Sequence, residues 1–222
     1  MTKSAESSFS DPKVRVVDGG LHIDGYPDAA YLVLLKSKKA KRLVRLRAHQ
    51  SALLFCERAM QELGAMPEDR SIAREAVLVG VAVKFFSCFG QNAVVGPLSA
   101  NRVFTGMPDA MECYAYWKDI RDKHIVHDES ALTFEGTGLV LGSGGDLHEV
   151  LSMKVSIGIT DREHAQLLYD LIDHTLKHLE KEVSDLLPAI FEEAAAMTAD
   201  ERLSLPCMSF TKPNLSDVAT RR

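Results

Sequence analysis

The longest uninterrupted run of helix-forming residues constrains this chain most. From Lys38 to Leu63 there is neither proline nor glycine, and Gly64 and Pro67 come soon after. A glycine just past the last helical turn and a proline shortly beyond it are typical helix stop signals. We therefore expect a long helix that ends at Gly64. A helix of this length needs packed partners to bury its apolar side, which favours a mainly α fold.

Three further segments read as substantial helices. Ser71 to Phe89 is apolar on nearly all sides, which predicts the central and most buried helix. Pro108 occupies the favoured first position of another helix. Thr160 and Glu163 have the spacing of a capping box at the start of a long helix, which we expect to break near Pro188. A short helical turn is expected over 99–104.

Two β-hairpins are predicted beside these helices. One surrounds Asp18-Gly19-Gly20, and the other surrounds 142–146 within the letters GTGLVLGSGGD. The second stretch lacks the lysine-threonine ending of a phosphate loop and no helix follows it, so a hairpin turn explains its glycines. The run AAYLVLL after Pro27 fits strand or helix equally.

The expected architecture is mainly α, a helical bundle of four to five helices with two β-hairpin additions. We expect a disordered lead-in over 1–13 and a single helical domain over 14–204. Its hairpins fall near 14–23 and 137–159, and a loop-like tail covers 205–222. No apolar run reaches the length of about 18 residues that spans a bilayer, so no membrane contact is expected.

Cysteine spacing and the amino terminus predict the compartment. The terminus has no apolar core and no cleavage pattern, so it does not read as a signal peptide. The four cysteines are far apart and form no C-x-x-C pair, which argues against a zinc ribbon. We expect reduced, non-catalytic thiols in a cytoplasmic protein. These are Cys56, Cys88, Cys113 and Cys207.

Charge is placed unevenly along the chain. The net charge is −5, which excludes a protein that wraps nucleic acid with its whole surface. Between Asp28 and Glu57, however, there is no acidic residue, while basic residues crowd 36–47. Such a face could hold a polyanion, or it could be a solvated helix face whose countercharges come from other segments. The candidate RNA-binding residues are Lys38, Lys41, Arg42 and Arg45.

The window YWKDIRDKHIVHDES, residues 116–130, is the densest group of charged and imidazole side chains. On an ideal helix, at about 100° per residue, its two histidines share a stripe roughly 80° wide with apolar neighbours. Arg121 falls at the edge of this stripe, and Asp119 and Asp122 point away. A simpler interpretation is that a histidine near a helix carboxyl end is favoured by the dipole or satisfies a carbonyl. The stripe consists of Cys113, Trp117, Ile120, His124 and His127.

Arg121-Asp122 followed by His127 resembles the signature of the HEPN superfamily, an arginine with a polar neighbour and a histidine a few residues later. Five residues separate Arg121 from His127, near the end of a helix late in the bundle. The resemblance implies a HEPN-like bundle and a metal-independent endoribonuclease without a cofactor, in phage defence or a toxin–antitoxin system. It also implies a homodimer whose partners are RNA and an antitoxin or regulatory protein.

The residue types suit RNA cleavage by the substrate's own 2′-hydroxyl. Histidine can accept a proton near neutral pH, and arginine can hold two phosphate oxygens. The candidate catalytic residues are Arg121 and His127, with Asp122 as the polar neighbour and His124 as a rival base. The alternatives are a non-catalytic HEPN-type scaffold that binds nucleotide, RNA or a partner protein, and a purely structural helical protein. No metal site is expected: His174 and His178 lie four apart but have no evident third ligand.

Overall fold

The computed structural model describes residues 14–17, 20–67, 71–91, 95–126, 133–156 and 162–208. This part of the chain is mainly helical. Two compact units are distinguished, Lys41–Pro188 and the combination of Met1–Ala40 with Ala189–Arg222. The elements in chain order are β1 (Val14–Val17), β2 (Gly20–Ile23), α1 (Lys38–Ala65), α2 (Ser71–Ser87), α3 (Ala100–Val103), α4 (Pro108–Asp119), a π-helical turn (Ile120–Val126), β3 (Thr133–Leu141), β4 (Leu147–Ser156), α5 (Arg162–Ala195) and α6 (Ala199–Leu203).

The core of the unit Lys41–Pro188 is built by α1, α2, α4 and α5. Trp117 and the two neighbouring rings of α2, Phe85 and Phe86, are among its largest fully buried side chains. Helix α5 contributes a regular apolar stripe. The buried members of that stripe include Leu168, Leu171, Ile172, Leu176, Leu179 and Val183.

Helices α1 and α2 form an antiparallel pair. Arg74 near the start of α2 donates to the carbonyl oxygens of Leu63 and Met66, each at 2.9 Å, at the end of α1. Farther along, the Cys56 thiol lies 3.8 Å from the Val81 carbonyl oxygen. The arginine adds a donor to carbonyl oxygens at the carboxyl end of α1, where a helix leaves its last carbonyls with few local donors; the Leu63 carbonyl also accepts from the Met66 amide at 3.2 Å.

Helix α2 carries several fully buried residues, among them Leu78, Phe85 and Phe86, but its apolar character on nearly all sides does not mean burial on all sides. Ile72 is 83% exposed and Val83 is 46% exposed. The physical reason is that α2 packs on the core with one side and leaves an open apolar groove beside α1 on the other. Small side chains line part of this groove, including Ala52 and Ala76.

Helix α5 is not broken at Pro188. It runs without interruption from Arg162 to Ala195 with the proline inside it. Proline removes one backbone donor and crowds the preceding turn, but flanking hydrogen bonds can carry a long helix past that point. The expected capping residue Thr160 lies outside the described residues.

Both predicted hairpins are present, the second over Thr133–Ser156 where 137–159 was expected. Strand β1 pairs antiparallel with β2, with Val14 opposite Ile23. Strand β3 pairs antiparallel with β4, and the turn between them is closed by the Gly142 amide, which donates to the Asp146 carbonyl at 2.8 Å. The tip includes Gly145 at φ 90°, a conformation that favours glycine.

The unit formed by Met1–Ala40 and Ala189–Arg222 joins the two chain ends. The ambiguous run after Pro27 is neither a helix nor a full strand: Val33 forms an isolated antiparallel bridge with Cys207. The start of α6 carries a capping box between Thr198 and Glu201. The expected lead-in over 1–13 and the tail beyond residue 208 lie outside the described residues.

Among the described residues, none of the helices combines the length and the apolar character that a bilayer crossing requires.

Candidate functional site

The candidate site lies where α4 changes into the π-helical turn. Pro108 and Asp109 favour the start of α4, and the helix keeps α geometry as far as Asp119. Ile120–Val126 then adopts wider π geometry. Trp117 and Ile120 are buried, as the stripe predicted. The expectation of one regular helix through the window is wrong, so angles taken from an ideal α-helix do not apply beyond Asp119.

Arg121 is held by an aromatic ring on one side and a carboxylate on the other. Its guanidinium carbon lies 5.4 Å from the centroid of the Phe86 ring, within cation–π range. Its Nη1 lies 2.7 Å from Oδ1 of Asp122. The side chain keeps 27% of its surface exposed, but its Nε is buried and has no hydrogen-bond partner among the described residues.

Asp122 binds two cations, one with each oxygen. Oδ1 faces Arg121, and Oδ2 accepts from Lys118 Nζ at 2.9 Å. The expectation that Asp122 points away from Arg121 is therefore wrong. A long arginine side chain can fold back onto its chain neighbour, and the π-helical turn changes the angular spacing that the ideal wheel assumes. Asp119 does point outwards, since it is 65% exposed and pairs with Lys123 at 3.4 Å.

Tyr114 completes the surroundings of Arg121. Its ring lies 5.2 Å from that of Phe86 and 5.1 Å from that of Phe89, measured between centroids. Burial raises the pKa of the Tyr114 hydroxyl, Arg121 opposes that change and Asp122 adds to it. The phenol therefore stays protonated at neutral pH, and it can donate a hydrogen bond without adding charge.

Of the two candidate bases, His124 and His127, the structure describes only the backbone of the first. The backbone of His124 belongs to the π-helical turn. His127 lies outside the described residues. The structure thus brings together Arg121, Asp122 and an aromatic wall, while the distance between Arg121 and either imidazole stays a prediction from the sequence.

The predicted basic residues all lie on α1 and are exposed, and two of them border a cavity of about 360 Å³. Arg42 Nη2 donates to Glu182 Oε1 at 2.9 Å, so part of the basic stretch does receive a countercharge from a distant segment. Arg45 lines the same cavity and makes no ion pair among the described residues. Lys38 and Lys41 are the other two predicted RNA-binding residues.

The sequence did not predict several residues of the Arg121 site and of the cavity that Arg42 and Arg45 border. Arg102 approaches Glu182 at 3.4 Å from 80 positions away in the chain, and no local pattern signals that contact. Phe86 appeared only as one member of an apolar helix. The one available signal was aromatic density in 85–89, FFSCF, which predicts a packed helix end and says nothing of an arginine above it.

The thiols show no sign of activation. Burial raises the pKa of Cys56 to about 12 and those of Cys88 and Cys113 to about 11. All four cysteines are free, and Cys207 is exposed. In the part of the chain that the structure describes, no group of three potential metal ligands is found.

No family model, no curated protein and no solved structure matches this chain.

Proposed function

We propose that the chain is a metal-independent endoribonuclease of HEPN type, with Arg121 and His127 at its centre. The observation that carries this proposal is the support of Arg121. Phe86 and Asp122 fix its guanidinium from two sides while part of the group faces solvent. A guanidinium held in this way can receive two non-bridging phosphate oxygens with little loss of side-chain freedom.

The local backbone supports the same proposal. π-Helical turns are rare and occur frequently at functional sites. Here such a turn carries Arg121 and Asp122. The Nε of Arg121 is buried and has no hydrogen-bond partner among the described residues. Burying an unpaired donor costs about 1–3 kcal/mol of folding free energy. Costs of this kind are concentrated where a function requires them.

In the proposed reaction His127 accepts the proton of the RNA 2′-hydroxyl, and the 2′-oxygen forms a bond to the adjacent phosphorus. The bond from phosphorus to the 5′-oxygen breaks, and that oxygen receives a proton from the protonated imidazole of the second protomer's set. Arg121 stabilises the charge on the phosphate oxygens. The products are a 2′,3′-cyclic phosphate and a 5′-hydroxyl. DNA lacks the nucleophile and should stay intact.

A two-fold homodimer is part of this proposal, because one protomer offers a single set of Arg121 and His127 while base and acid are both needed. Trp117 itself is fully buried within the protomer. Other faces of α4, including exposed Tyr116, would therefore form the interface. Light scattering at micromolar concentration measures the mass, and a monomer would contradict this part.

The test is cleavage of a labelled RNA pool in EDTA. His127→Ala and Arg121→Ala should each reduce the rate by about 10²–10⁴. Arg121→Lys should restore little of the cleavage rate that Arg121→Ala loses, since an ammonium group cannot make the two-point contact with phosphate. His22→Ala, at an exposed position on β2, is the matched control and should cleave normally.

Two other outcomes are informative. Loss of cleavage with His124→Ala but not with His127→Ala would make His124 the base and leave the activity in place. Intact RNA in EDTA, in magnesium and with cell extract would favour the second candidate, a non-catalytic scaffold that binds nucleotide, RNA or a partner protein. The observation on its side is that Asp122 already neutralises Arg121.

A further inference from the structure

A second cationic site lies in the unit Lys41–Pro188 and shares no residue with the Arg121 site. It is a cavity of about 360 Å³ bordered by α1, α3, α5 and the loop before α3. This volume is at the lower end of the range of small-molecule sites, about 300–1,000 Å³. It can hold one phosphate group and the sugar attached to it.

Three arginines from two helices line this cavity around a single carboxylate. Arg42 and Arg45 come from α1, Arg102 comes from α3, and Glu182 comes from α5. Three positive charges against one negative charge leave an excess of two, with the histidines counted as neutral. This excess matches a phosphate monoester, which carries a charge of about −1.5 to −2 at neutral pH.

Glu182 orients two of the arginines without using up their donors. Its Oε1 lies 2.9 Å from Nη2 of Arg42 and 3.4 Å from Nη2 of Arg102. Each guanidinium has five N–H donors, so most of them stay available. The carboxylate is 21% exposed, whereas the two arginines are 50% and 70% exposed. Glu182 thus lies at the inner side, and the guanidinium groups extend from it towards solvent.

The rest of the cavity suits an anion beside an apolar group. Leu46 and Val103 are buried in its wall, and a low-polarity wall strengthens the attraction between charges. His49 is buried and its Nε2 lies 3.0 Å from the Gly96 carbonyl oxygen, which can only accept, so Nε2 carries the hydrogen. This bond ties the loop before α3 to α1 and fixes the wall.

We propose that this cavity binds a phosphate monoester, either that of a free 5′-nucleotide or that at the 5′ end of an RNA. Arg45 makes the primary contact, since it makes no ion pair among the described residues. Arg42 and Arg102 add donors that Glu182 has already oriented. The proposal does not depend on RNA cleavage, because it concerns binding at residues that the reaction does not use.

Calorimetry with 5′-AMP, adenosine and inorganic phosphate tests this directly. AMP should bind and phosphate should compete with it, while adenosine should bind at least about tenfold more weakly. Arg45→Gln should weaken AMP binding about 10- to 100-fold, the range of a charge-assisted hydrogen bond. Arg58→Gln removes one charge from an exposed position of the same helix outside the cavity and should change binding less than about twofold.

A second titration distinguishes the two sources of the phosphate. Short single-stranded RNA with a 5′-phosphate or a 5′-hydroxyl is added to the His127→Ala protein, so that no cleavage disturbs the measurement. Binding that requires the 5′-phosphate and is lost in Arg45→Gln identifies an RNA end, and AMP binding alone identifies a nucleotide. Equal binding of AMP and adenosine, equal losses in Arg45→Gln and Arg58→Gln, or no binding of either phosphorylated ligand would overturn the proposal.

Discussion

The guanidinium carbon of Arg121 lies 5.4 Å from the centroid of the Phe86 ring. This contact joins the π-helical turn to the most aromatic part of α2. Phe86 is itself fixed by Phe85, whose ring centroid is 5.0 Å away at an interplanar angle of 85°. A position that looks like ordinary core in the sequence therefore supports the charged group of the candidate site.

A comparison of Phe86→Leu with Phe85→Leu should distinguish the support of Arg121 by a ring from the contribution of a ring to core packing. Both rings are fully buried, so each change should lower the free energy of unfolding by a similar amount, about 1–2 kcal/mol. Only Phe86→Leu removes the ring beneath Arg121 and should slow RNA cleavage, by about 10- to 100-fold. Urea unfolding and cleavage rates measure the two effects, and equal rates in both variants would contradict a role for the ring.

Asp122→Asn should weaken the positioning of Arg121 while conserving side-chain size. The amide loses the charge that attracts Arg121 and Lys118, and cleavage should fall about tenfold. Asp119→Asn is the matched control, because Asp119 is exposed and pairs only loosely with Lys123. Neither change should alter the free energy of unfolding by more than about 1 kcal/mol. Indistinguishable cleavage by the two variants would exclude Asp122 as a positioning residue.

The sequence predicted most of the secondary structure because its signals there are local. Pro108 predicted the start of α4, and the glycines of 142–146 predicted the turn between β3 and β4. It did not predict the continuous path of α5 through Pro188, because flanking hydrogen bonds outweigh a local breaker. It also did not predict which side of α2 stays exposed at Ile72 and Val83, since apolar composition does not say how many neighbours a helix has.

Two ion-pair arrangements were not predicted, and each has its own physical reason. The ideal wheel placed Asp122 away from Arg121, whereas the two side chains form an ion pair. No local pattern of this sequence indicated the change from α to π geometry, and that change alters every angle beyond Asp119. The cluster of Arg42 and Arg102 on Glu182 was equally hidden, because it joins residues 140 and 80 positions apart.

The four thiols should differ in reactivity towards a disulfide reagent. Cys207 is exposed and should react in the native protein. Cys56 and Cys88 are buried, and their raised pKa values leave very little thiolate at neutral pH, so they should react only after unfolding. Titration of the denatured, unreduced protein should find four thiols. A lower number together with a disulfide-linked species would contradict the expectation of reduced cysteines.

His49 should make stability depend on pH below neutrality. Burial lowers its pKa below 6.5, against a smaller opposing effect of its bond to Gly96. Above about pH 6.5 the imidazole is neutral in the folded and the unfolded state, so its contribution to the free energy of unfolding is fully present. As the pH falls below that value, the unfolded chain binds the proton first and the contribution is lost.

His49→Asn should test this through the difference between two unfolding curves. At neutral pH the variant should be less stable than the wild type, because it loses the contact of the imidazole with Gly96. The difference should shrink as the pH falls towards about 5, since only the wild type pays the cost of keeping His49 unprotonated. His22→Asn, at an exposed position, is the control and should follow the wild-type curve. Urea unfolding at a series of pH values measures all three proteins, and a difference that stays constant with pH would contradict the assignment to His49.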